Sequence, residues 1–117
     1  MSFLFIEYPK CTTCQRAKKW LIDKNIAFED RNIVSNKPSK EELKRWIDAN
    51  DYEIKKWFNT SGLKYKELNL KEKLKLLSDD EKIDLLASDG MLVKRPLLVS
   101  GNKVLVGFKE AEWETMI

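Results

Sequence analysis

Histidine is absent from this chain of 117 residues. Its absence removes the commonest general base, the commonest zinc ligand other than cysteine, and any cysteine–histidine catalytic pair. Chemistry must therefore rest on thiols, carboxylates, lysine, arginine or tyrosine. With four glycines and three prolines, collagen-like and low-complexity classes are excluded. At 43% hydrophobic and 35% charged residues the composition is that of a folding chain, and its length suits one domain. No apolar run approaches the ~18 residues of a membrane span, and no basic region followed by a long apolar core opens the chain. A soluble, cytoplasmic protein with no membrane association is expected, a monomer in the absence of an apolar surface patch. Two cysteines cannot build a multi-bridge secreted framework, so any disulfide should be transient. The net charge of +3 is too mild for a dedicated nucleic-acid binder, and no direct DNA contact is expected.

What is present is a clear alternation of elements. "FLFIEY" (3–8), ended by Pro9, reads as a strand buried on both faces. Ala17, Trp20 and Leu21 then repeat at helical spacing with Cys14 on the same stripe, and "IAFEDRNI" (26–33) alternates as a second, parallel strand. Together they make a βαβ unit. Ser39 with Glu42, and Ser78 with Glu81, have capping-box spacing. Between and after them Leu43, Trp46 and Ile47, then Ile54, Trp57 and Phe58, then Ile83, Leu85 and Leu86 read as helix faces, with "NTSG" (59–62) as a turn. "RPLLVSGNKVLVG" predicts a hairpin turning at Ser100-Gly101-Asn102, and "KEAEWETMI" a last helix carrying Ala111, Trp113 and Met116. The order β-α-β, helices, β-β-α predicts an α/β, thioredoxin-like (glutaredoxin-like) fold with a mixed sheet. We expect a single domain over 1–117, its halves at about 1–37 and 88–117 and a helical insertion at about 38–87.

The chemistry concentrates in "KCTTCQ". Thr12 and Gln15 have capping-box spacing, which predicts a helix starting at Thr12 with Cys11 just outside its first turn. Free backbone N–H groups and the positive end of the helix dipole would favour a Cys11 thiolate. Cys14, one turn on and facing inward, is then the resolving thiol. Two other readings stay open: a pair of buried core cysteines, and half of a zinc site, for which one CxxC without histidine supplies too few ligands. No cofactor or metal is expected.

Assembled in order, "YPKCTTCQRAKKWL", "FNTSGLKYKELNL", "KRPLLV" and "VLVGFKEAEW" resemble the ArsC/Spx family, which contains glutaredoxin-related arsenate reductases and Spx/MgsR-type redox regulators of Gram-positive bacteria. The resemblance implies a cis proline at Pro96 facing the cysteine turn, with Cys11 and Cys14 as catalytic residues and Arg95, Pro96 and Thr12 at the substrate. Of the three arginines that hold the oxyanion in the reductases, only Arg95 is matched. The other two positions fall at Asn59 and Gly107, which argues against arsenate, since bidentate charge-assisted contacts are lost. Three functions follow. The first is a thiol-disulfide oxidoreductase acting on an oxidised thiol or disulfide, with glutathione or a glutaredoxin or thioredoxin as partner. The second is a redox-sensing regulator acting through the RNA polymerase alpha subunit, although "IDANDYEIKK" lacks the glycine of that surface. The third is arsenate reduction.

Overall fold

A computed structural model describes residues 2–117. Four short strands form one mixed sheet: β1 (Leu4–Glu7), β2 (Glu29–Asn32), β3 (Leu97–Ser100) and β4 (Lys103–Val106), in the order β2-β1-β3-β4. β1 runs parallel to β2, with Leu4 opposite Glu29 and Glu7 opposite Asn32. β3 lies antiparallel to β1 with Phe5 opposite Leu98, and β4 antiparallel to β3. The 97–106 hairpin turns through Gly101 at φ +61°, a conformation without steric cost only for glycine. This is the thioredoxin-like layout expected from the element order.

Because side chains alternate across a strand, the sheet carries two cores. On one face Phe5, Leu98 and Leu105 meet Ala17, Trp20 and Leu21 of α1 (Thr12–Asp23), and Trp113 and Met116 at the C-terminus. Trp113, on a short final helix (Glu110–Glu114), is an edge-to-face partner of Trp20, Phe5 and Phe108, and its indole N–H donates to the Gly107 carbonyl at 2.9 Å. Ala111 is exposed rather than inward-facing, since a single turn of helix presents only one stripe to the sheet. On the other face Ile6, Leu97, Val99 and Val104 pack against the inserted segment through Leu43, Trp46, Trp57, Phe58 and Leu86.

Both serine capping boxes form. Ser39 and Glu42 exchange bonds of 3.1 and 3.0 Å at the start of Lys40–Ala49, and Ser78 and Glu81 bonds of 3.2 and 3.0 Å at the start of Asp79–Ser88. Glu42 also takes both Arg31 terminal nitrogens at 2.8 Å, tying the insertion to β2. The Thr12–Gln15 box does not form: Cys11 is itself the cap, Thr12 is already helical, and Gln15 reaches back to the Pro9 carbonyl at 2.9 Å. The second strand is shorter than its alternation suggests, because Ile26 and Phe28 pack under α1 before pairing with β1 begins. Ile54–Trp57 is a 3₁₀ turn. Among the described residues no helix is long and apolar enough to cross a membrane.

Candidate active site

β1 delivers the chain to a turn at its carboxyl end, where the Cys11 N–H donates to the Tyr8 carbonyl at 3.0 Å. Cys11 has extended dihedrals (φ −85°, ψ 121°), and its carbonyl receives the first helical bond, from Gln15 N–H at 3.0 Å. The Cys11 side chain thus hangs at the positive end of α1 and is partly exposed, whereas Cys14 is fully buried. Both are free thiols.

Their surroundings push the two thiols apart. Partial burial works against a Cys11 thiolate, yet hydrogen bonds from the Cys14 backbone and thiol, and from the Arg95 guanidinium with its charge, outweigh it and lower the Cys11 pKa. Cys14 is pushed up to about 12, first by burial and then by facing Cys11, although the Tyr8 backbone and Arg95 act in the opposite direction. One thiol is poised to ionise and the other to keep its proton.

Arg95 approaches from the segment before β3. Its guanidinium lies over the Tyr8 ring, 5.1 Å from the centroid, and Nη1 points at the Met91 sulfur at 3.9 Å. Arg95 Nε is buried with no hydrogen-bond partner. The Arg95–Pro96 peptide bond is cis; Pro96 is buried, and its carbonyl accepts from Gly107 N–H at 2.8 Å. Thr12 is exposed at the first helical position. Thr13 and Arg16, not Thr12, line the adjoining cavity.

That cavity has a volume of about 670 Å³. α1 contributes Thr13 and Arg16, the 3₁₀ turn Lys55 and Lys56 with Phe58 just after it, the approach to β3 Lys94 and Arg95, and the chain after β4 Gly107, Phe108 and Lys109. Asn59 does not line it; an added side-chain carbon at Gly62 would strike Asn59 Nδ2 at 2.7 Å, which places the asparagine within its own turn. Gly107 does line it, at φ +77°, where an arginine would be strained. The basic lining was not legible from sequence, because its residues come from four separated segments. Tyr8 and Met91 beside Arg95 were missed for the same reason.

A second polar group lies on the α1 side of the sheet. Glu7 is buried at 3% exposure and pairs with Lys18 at 3.2 Å, while Lys18 also holds Asp30 at 2.6 Å. Burial, then the hydrogen bond with Asp30, raise the Glu7 pKa to about 7 against the opposing Lys18. Among the described residues no cluster of three or more His, Cys, Asp or Glu side chains could hold a metal ion.

A model of the ArsC family matches residues 6–116. YusI of Bacillus subtilis (strain 168) is 55% identical over 114 residues, covering 97% of each chain. The regulatory protein MgsR of the same organism is 32% identical over 108 residues, covering 92% of this chain and 84% of its own. The crystal structure of an ArsC family related protein from Bacteroides fragilis superposes with a TM-score of 0.96 at 54% identity, covering all of this chain and 98% of that one.

Proposed function

The chain belongs to the ArsC family, and from that premise we propose that it is a thiol-disulfide oxidoreductase working through Cys11 and Cys14. The observation that carries this reading is the opposed ionisation of the two thiols, one lowered at a helix start beside Arg95 and the other raised in the core. Cys11 as thiolate attacks one sulfur of a disulfide; the sulfur–sulfur bond breaks, and the departing thiolate takes a proton from water. Cys14 then attacks the Cys11 sulfur, its proton passing to the substrate thiolate that departs. The second substrate thiol is released and a Cys11–Cys14 disulfide is left. The substrate disulfide has gained two electrons and the protein has lost two; an external thiol or dithiol reductant restores the pair.

In this scheme Arg95 holds the attacking thiolate, and Pro96 with Thr12 shapes the substrate's approach. The thioredoxin-like halves, about 1–37 and 88–117, carry the thiol pair and Arg95, and the insertion, about 38–87, supplies one wall of the cavity. Arsenate is not the substrate we propose, because Asn59 and Gly107 leave Arg95 without the two further guanidinium forks that the resemblance implies, the other cations of the cavity being four lysines and Arg16. The test is trapping. Cys14→Ser should accumulate a mixed disulfide at Cys11, and Cys11→Ser should form none and lose disulfide reduction. Full reduction activity in Cys11→Ser would overturn the reading.

A second reading, a redox-sensing regulator in which the Cys11–Cys14 disulfide alters contact with the alpha subunit of RNA polymerase, is favoured by the similarity to MgsR. Titrating the carboxyl-terminal domain of polymerase alpha with oxidised and reduced protein separates the two; binding in neither state removes the regulator.

A further inference from the structure

The oxidoreductase reading leaves one basic cavity without a role: Cys11 does not line it, but Arg95, the hydrogen-bond partner of Cys11, does. Its walls carry Arg16, Lys55, Lys56, Lys94, Arg95 and Lys109 against only Glu53 and Glu112. Glu112 is engaged by the Tyr52 hydroxyl at 3.3 Å. Among the described residues none of the six cations has a carboxylate within ion-pair distance. A concave wall with an excess of one sign of charge focuses potential and concentrates the opposite charge. Arg95 adds a buried Nε with no hydrogen-bond partner, which is costly to leave unmet. The volume of about 670 Å³ lies within the ~300–1,000 Å³ of small-molecule sites.

We propose that this cavity selects small disulfides whose halves carry carboxylates. The proposal deepens the oxidoreductase reading and rests on it. Cys11 attacks the sulfur nearer to it while the lysines hold the carboxylates, so that the substrate's charge is bound on the wall beside the thiolate. The same charge makes the approach faster than for a neutral disulfide.

Three disulfides of similar length separate charge from reactivity: 3,3′-dithiodipropionate (two carboxylates), bis(2-hydroxyethyl) disulfide (neutral) and cystamine (two ammonium groups). Each is mixed with fully reduced protein in stopped flow, and its rate is divided by its rate with 2-mercaptoethanol to remove intrinsic reactivity. The normalised rates should fall in the order anion, neutral, cation. The first step should be about tenfold or more at low salt and should shrink as salt screens the cavity. The triple charge reversal Lys55→Glu, Lys56→Glu, Lys109→Glu should invert the order. Normalised rates that agree within about twofold, in both low and high salt, would overturn the proposal and leave the oxidoreductase reading standing. If no disulfide reacts faster with wild type than with Cys11→Ser, both fall.

Discussion

Replacing Glu7 by glutamine should stabilise the protein near pH 8 and leave it close to wild type near pH 5. The carboxyl, with an ordinary value of 4.5, titrates at about 7 because it is buried and then because it bonds Asp30. Between these values the folded chain holds a proton that the unfolded chain has released. The stability associated with the neutral acid is therefore full below pH 4.5 and is lost as pH rises through about 7. A gap of this size corresponds to ~3 kcal/mol. Asp30 works the other way: burial would raise it, but hydrogen bonds from Glu7 and Lys18 lower it, so its contribution is present above its unfolded value and lost on acidification. Some of the Glu7 cost is offset there, and a net gain of ~1–3 kcal/mol is expected for Glu7→Gln at the alkaline end. Glutamine keeps an N–H donor for Asp30 and removes the buried charge. Urea unfolding of both proteins across the pH range measures the difference, and the thiol titrations cancel because both chains share them. A difference independent of pH, or a variant less stable than wild type near pH 8, would be incompatible with a buried Glu7 that holds its proton to about pH 7.

Other positions give equally definite outcomes. Gly90→Ala places a carbon 1.8 Å from the Ile33 carbonyl oxygen and 2.7 Å from its carbon, both backbone atoms, and should cost ~3 kcal/mol or more in chemical denaturation. Gly101→Ala meets nothing within 4 Å but keeps φ +61°, and should cost only ~1 kcal/mol. Glu42 is held down to about 2 by the Arg31 fork, against burial and with help from Ser39. Its contribution is therefore present above pH 4.5 and lost as pH falls through about 2, and Glu42→Gln should lose ~2 kcal/mol at neutral pH while converging on wild type in acid.

The helix starts at Ser39 and Ser78 and the turn at Gly101 were legible because each is fixed by residues within four positions of one another. So was the division of Cys11 and Cys14 into outer and inner thiol, the inner from the helical period of Cys14, Ala17 and Leu21 and the outer from the helix start read at Thr12. The Thr12–Gln15 spacing placed the helix start correctly, but the box itself does not form, because Cys11 takes the cap position one residue earlier. Glu7 lies inside "FLFIEY", which reads as one strand buried on both faces, and nothing in that run marks a buried acid. Its burial depends on Lys18, a turn beyond Cys14, and on Asp30 in the neighbouring strand. Arg95 could be named through its place in "KRPLLV", but its stacking on Tyr8 and the lysine-lined cavity arise only when four distant segments meet, which no periodicity reports.

One thiol of the pair is built to ionise and the other to resist. Thiolate absorbance in the ultraviolet, followed against pH, tests it directly. One thiol should ionise below the ordinary ~8.5, a step lost in Cys11→Ser and shifted upward in Arg95→Met, with the second thiol still protonated well into the alkaline range. Two thiols ionising together at the ordinary value, indifferent to Arg95, would contradict it.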